Sequence, residues 1–98
     1  MNIKIHNAYR TIVALSDLNL IGKRFEQDNK QLEVTESFFK GEEKTKQEIL
    51  EILKDMQKED AIFNIVGKES IETALEAGII EKSGITKIQD IPVALVLL

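Results

Sequence analysis

The chain has no cysteine and no tryptophan, and only one histidine and one proline among its 98 residues. Without cysteine there are no disulfides, no thiolate nucleophile and no cysteine-ligated zinc or iron–sulfur centre. The absence also fits a reducing compartment. A single imidazole, His6, excludes histidine clusters as metal sites and leaves little for acid–base chemistry. No apolar run approaches the roughly 20 residues of a membrane-spanning helix, and the C-terminal stretch Val93–Leu98 is far too short to span a bilayer. Met1–His6 alternates in polarity and does not present the apolar core of a signal peptide. Arginine is scarce while lysine, glutamate and isoleucine are abundant, a bias shared by thermophiles and AT-rich genomes.

What is present is a balanced globular composition, 43% hydrophobic and 31% charged. That balance predicts one folded domain over residues 1–98. The formal charge of −4 is unevenly spread: residues 1–46 hold eight Lys/Arg against seven Asp/Glu, and residues 47–98 hold five against ten. A polyanion binder needs cations to neutralise phosphates, so only the N-terminal half is permissible for nucleic acid.

Residues 2–6 alternate, with Ile3 and Ile5 inward, and predict a half-buried strand. Thr11–Leu15 is a short apolar, β-branched run, a second strand completing a hairpin. Ser16-Asp17 opens a turn or short helical segment through Leu18, Leu20 and Ile21, which Gly22 ends by taking positive φ. Leu32 and Val34 define a third strand. Thr45-Lys46-Gln47-Glu48 reads as a capping box, and Ile49, Ile52, Leu53 and Met56 follow at helical spacing. Ala61, Ile62, Ile65 and Val66 predict a short helix closing at Gly67. A further helix runs from about Lys68 to Ala77, with Gly78 at its C-terminus. Ile85–Ile88 and Val93–Leu98 predict strands, Pro92 standing at the start of the last one because it has no N–H for a ladder. The expected architecture is α+β: a mostly antiparallel sheet of about five strands with two to three helices inserted between the N- and C-terminal strands. The expected core includes Ile3, Ile5, Val13, Leu15, Leu32, Val34, Ile49, Leu53, Ile71, Leu75, Val93 and Leu95.

The chemistry-bearing candidates are few. His6 has no nucleophile beside it, and Ser37 has no nameable base. Asp17, Glu33 and Glu36 gather around a divalent cation only if the fold converges them; as a solvated rim and a helix cap they need no metal. Ile21-Gly22-Lys23-Arg24 lacks the spacing of a phosphate loop. It reads as an exposed turn, or as a phosphate-contacting pair held by a rigid glycine. Phe38-Phe39, read as extended, places one ring inward and one outward beside Lys40, which makes an aromatic platform the alternative to simple core packing. Residues 61–77 have the outline of a helix-turn-helix, but the second helix carries Glu69, Glu72 and Glu76, which a duplex would repel.

Leu20–Phe25 followed by Leu32–Glu42, then Ala61–Glu69, Ala77–Ile80 and Ile91-Pro92, resembles the archaeal domain-of-unknown-function 424 family over nearly the whole chain. The resemblance implies a small archaeal, cytoplasmic protein with RNA association. It departs after Pro92, where Val93-Ala94-Leu95 stands in place of the family's polar residues. The leading expectation is a non-catalytic binding protein, RNA- or ribonucleoprotein-associated, with Gly22, Lys23, Arg24, Phe39 and Lys40 as its contact residues and no cofactor. The alternatives are a protein-interaction or homodimerisation module and, third, a small metal-dependent enzyme around Asp17, Glu33 and Glu36.

Overall fold

A computed structural model describes residues 1–97. Eight strands and three α-helices follow in the order β1 (Asn2–Asn7), β2 (Thr11–Ser16), β3 (Arg24–Gln27), β4 (Lys30–Glu33), α1 (Glu36–Phe39), β5 (Glu42–Glu43), α2 (Lys46–Lys58), β6 (Ile62–Val66), α3 (Lys68–Ala77), β7 (Ile85–Ile88) and β8 (Ile91–Val96). Six strands form one sheet in the order β5-β1-β2-β6-β8-β7, and β3-β4 is a separate hairpin. Every pairing is antiparallel except β2 with β6. The expected α+β class holds. The last predicted strand is present to Val96, and Leu98 lies outside the described residues.

Ile62–Val66 is a strand, not the short helix its apolar spacing predicted. The reason is burial on both faces. Phe63 and Ile65 pack toward α2 and α3, while Val66 joins the cluster on the opposite side. A strand covered on both sides reads as a continuous apolar run, without the alternation that betrays a half-buried one. The helix-turn-helix outline disappears with this correction.

Two apolar clusters sandwich the sheet. Ile3, Val13, Leu15, Ile49, Leu53, Phe63, Ile65, Ile71 and Ala74 form the larger one, under α2 and α3. Ala14, Leu20, Leu32, Val34, Phe39, Val66 and Ile88 form the smaller one, under α1 and the β3-β4 hairpin. The second layer is short and covers only one end of its sheet face. This explains Leu95, expected in the core but 54% exposed. Its side chain points to that face beyond the reach of the hairpin. Ile5, also expected inside, is 38% exposed because β5 pairs only with Asn2 and Ile3 and leaves the rest of the β1 edge open.

The local signals for α2 and α3 are realised. Thr45 Oγ1 accepts from the Glu48 N–H at 3.2 Å, and Glu48 Oε1 accepts from the Thr45 N–H at 3.0 Å. Gly78 takes the left-handed conformation at φ 77° that closes α3.

Candidate binding surface

Phe38-Phe39 lies in a single helical turn, not in an extended segment. Thr35 caps α1 by accepting from the Phe38 N–H at 3.3 Å. Phe39 is 5% exposed and belongs to the smaller apolar cluster, so it is a core residue and not a surface contact. The ring at the surface is Phe38, half-buried and stacked on His6 with centroids 4.8 Å apart and planes 18° from parallel.

So short a helix leaves its last carbonyls without intrahelical donors. Strand β1 supplies them. Asn2, Lys4 and His6 alternate along β1 and project on the α1 side of the sheet. Lys4 Nζ donates to the Ser37 carbonyl at 2.8 Å, His6 Nε2 to that of Phe38 at 2.8 Å, and Asn2 Nδ2 to that of Phe39. A carbonyl only accepts, so the His6 tautomer here carries its proton on Nε2. Asn2 Oδ1 in turn accepts from the Gly41 N–H at 3.3 Å. Gly41 is required there: a Cβ would run into the Ile3 carbonyl and stand 2.9 Å from the Lys4 Cα.

Gly22 has φ 87°. Its N–H donates to Val34 O at 2.6 Å, and the Val34 N–H donates to Lys23 O at 2.9 Å, so the turn is pinned to the strand leading into α1. A Cβ on Gly22 would sit 3.9 Å from Glu36 Oε1, and Lys40 Nζ lies 3.6 Å from Glu36 Oε2. Gly22 and Lys40 therefore flank one carboxylate, with Lys23 next along the chain and exposed. Arg24 departs with the hairpin, where it pairs with Glu26 at 2.6 Å and Glu33 at 3.7 Å. The surface is one of mixed charge, and exposed pairs of this kind contribute little stability.

The three carboxylates weighed as a metal site do not meet. Glu33 and Glu36 are taken by Arg24 and Lys40. Asp17 points the other way and caps α3. Its Oδ1 accepts from the Ser70 N–H at 2.8 Å and the Ser70 hydroxyl at 2.7 Å, and its Oδ2 from the Glu69 N–H at 3.2 Å. Gly67, at φ 108°, stands where a side-chain cap would normally come from, and a Cβ there would overlap the Asp17 carboxyl group. Asp17 thus supplies, from just past the end of β2, the anion that a helix N-terminus attracts. Among the described residues no group of three His, Cys, Asp or Glu is placed to hold a metal.

Two ionisable groups bordering α2 are shifted. The backbone N–H and hydroxyl of Thr45 hold the Glu48 carboxyl below its ordinary value, and the neighbouring Glu42 carboxylate raises Lys44.

The sheet face on the α1 side differs chemically from the side covered by α2 and α3. On it lie Lys4 and His6 of β1, Ile12 and Ala14 of β2, Ile62 and Asn64 of β6, Val93 and Leu95 of β8, and Thr86 of β7, by the register of the pairs. None is acidic. The helices opposite carry Glu48, Glu51, Asp55, Glu69, Glu72 and Glu76.

The family model described as "Protein of unknown function (DUF424)" matches residues 5–98. The chain belongs to the DUF424 family. A crystal structure of an uncharacterized conserved protein from Methanopyrus kandleri is similar to this DUF424 chain with a TM-score of 0.86 at 18% identity, covering 97% of this chain and 88% of that one. At that identity the likeness establishes the fold alone. No curated protein matches the chain. No helix among the described residues is long and apolar enough to cross a membrane.

Proposed function

We propose that this DUF424 chain is a non-catalytic, RNA- or ribonucleoprotein-associated binding protein of the cytoplasm. The reading moves its contact surface from the Gly22-Lys23-Arg24 turn to the part of the α1-side sheet face that α1 and the β3-β4 hairpin leave open. One observation carries it: none of the strand residues named on that face is acidic, and its border is the half-exposed Phe38 ring stacked on His6. A partly open sheet face bordered by stacked rings offers bases a stacking platform, which is how several single-strand binders work. Of the residues first expected to make contact, Lys23 and Lys40, exposed at the Gly22–Glu36 corner, stay in this proposal as phosphate contacts. Phe38 replaces Phe39, and Arg24 is neutralised by its two glutamates. The commitment of the single histidine's Nε2 to a backbone carbonyl, and the dispersal of Asp17, Glu33 and Glu36, support the non-catalytic half of the reading.

The test is fluorescence anisotropy with labelled single-stranded RNA at about 50 and 200 mM salt. With Lys23 and Lys40 as its phosphate contacts the salt dependence is shallow, about two phosphate contacts' worth. Phe38→Ala removes one stacking partner and lowers affinity roughly 5- to 150-fold, since such a contact contributes about 1–3 kcal/mol. Absence of binding at the lower salt, or affinity indifferent to Phe38→Ala, overturns the reading. A protein-interaction module is then favoured, because Leu95, Leu97 and the fully exposed Tyr9 are apolar surface in search of a cover.

A further inference from the structure

Edge strands are exposed hydrogen-bonding templates, and proteins usually blunt them with proline, lysine, bulges or a covering segment. The two edges of this sheet are treated differently. At one end β7 is four residues long, carries the exposed Lys87, and lies against the docked β3-β4 hairpin, where Gln89 Nε2 donates to the Glu26 carbonyl at 2.6 Å. At the other end β1 is six residues long, and β5 covers only Asn2 and Ile3.

The register tells which groups remain. Lys44 N–H donates to Met1 O at 2.9 Å, and the Met1 amine donates to Lys44 O at 3.4 Å, so Met1 and Lys44 form a hydrogen-bonded pair. Such pairs alternate along an antiparallel ladder. Asn2 opposite Glu43 is then a non-bonded pair, and Ile3 opposite Glu42 a bonded one. Met1, Ile3, Ile5 and Asn7 thus aim their N–H and C=O groups outward, and Asn2, Lys4 and His6 aim theirs at β2. Among the described residues no strand lies opposite Ile5 or Asn7. Beside this stretch is a cleft of about 410 Å³ lined by Ile3, Ile5 and Ile52, with Lys4, Glu42 and Lys44 around it.

We propose that the Ile5–Asn7 edge of β1 is a docking site for an extended segment of another protein, which adds a strand in line with β5. The unpaired backbone groups specify the ligand's conformation, as in other cases of strand addition. The cleft specifies one side chain. The residue opposite Ile5 shares its face of the sheet, so its side chain enters between Ile5 and Ile52, and an aliphatic group fits there. A second copy of this chain is disfavoured by the same geometry. Antiparallel self-pairing of Ile5 with Asn7 brings Ala8 of the second copy opposite Lys4, the place that Gly41 already occupies, 2.9 Å from the Lys4 Cα once given a Cβ. This site is separate from the RNA-facing surface and stands or falls without it.

The experiment is amide hydrogen exchange by NMR on the full chain, alone and with a capped seven-residue peptide of alternating valine and threonine flanked by lysine. In the free protein, the Ile5 and Asn7 amides exchange fast while those of Lys4 and His6 are protected. Peptide addition protects Ile5 and Asn7 selectively. Asn7→Pro removes an outward N–H without touching the ladder to β2. It weakens peptide binding roughly fivefold for the one hydrogen bond lost, while Lys4 and His6 stay protected. Ile5→Lys, which puts a charge at the cleft, weakens binding further, and its retained exchange pattern reports an intact fold. Three results overturn the proposal: Ile5 and Asn7 already protected in dilute free protein, protection that appears with protein concentration alone, or no selective protection at millimolar peptide.

Discussion

Asp17→Ala tests how α3 is held, because its capping group comes from 52 residues earlier in the chain. Three hydrogen bonds disappear in that variant, those from Glu69 N–H, Ser70 N–H and Ser70 Oγ. Loss of an ordinary N-cap costs about 1 kcal/mol, within a range of roughly 0.5–2. Ser70 is fully buried, so its hydroxyl and amide also lose their acceptor away from water, at about 1 kcal/mol or more. The expected total is about 2–3 kcal/mol. For a domain of this size each kcal/mol lowers Tm by roughly 4–8 °C, which gives a fall of about 10–20 °C. Asp17→Asn keeps an oxygen for Ser70 but turns an amide donor toward the Glu69 N–H, so it falls between the wild type and Asp17→Ala. The assay is urea unfolding followed by far-ultraviolet circular dichroism, the chain having no tryptophan. Gly67→Ala adds a second arm. It is strained at φ 108° in either background, but its overlap with the carboxyl group exists only when Asp17 is present. Its cost therefore shrinks by about 0.5–1 kcal/mol in the Asp17→Ala background. An Asp17→Ala protein within about 0.5 kcal/mol of wild type would falsify the trans-cap account.

Other outcomes are expected from the same structure. Phe39→Ala, which empties a core position, destabilises by about 3–5 kcal/mol, whereas Phe38→Ala at the surface costs much less; equal costs in the same urea assay contradict the assignment of rings. Gly41→Ala forces apart the segment after α1 and strand β1, and a loss under about 1 kcal/mol means that contact is looser than described. Glu48 has its carboxyl held below the ordinary value of 4.5, so its contribution is present above that pH and is lost as pH falls through the lower folded value. Glu48→Gln removes that part of the acid dependence, and unchanged acid-unfolding curves argue against it.

The α2 and α3 helices, with their capping box and Gly78, were legible because their signals are local: a few residues set the periodicity and satisfy the terminal N–H groups. The β1-β2 hairpin was legible for the same reason. Strand β6 was not, since burial on both faces erases alternation and the cause of that burial lies in α1 and the β3-β4 hairpin. The polar alternation of Asn2, Lys4 and His6 was visible, but its purpose was not. It matches three carbonyls of a helix more than 30 residues away.

Composition and local pattern by themselves determined the class of the chain, its cysteine-free chemistry and the helices that carry the acidic side. The tertiary structure alone decided which of two adjacent phenylalanines reaches solvent, that Arg24 spends its charge on neighbouring glutamates, that Asp17 serves a helix instead of an ion, and that the outer edge of β1 beyond Ile3 has no strand beside it among the described residues. These depend on long-range approach, on which backbone groups are left over after the sheet has formed, and no window along the chain contains both partners.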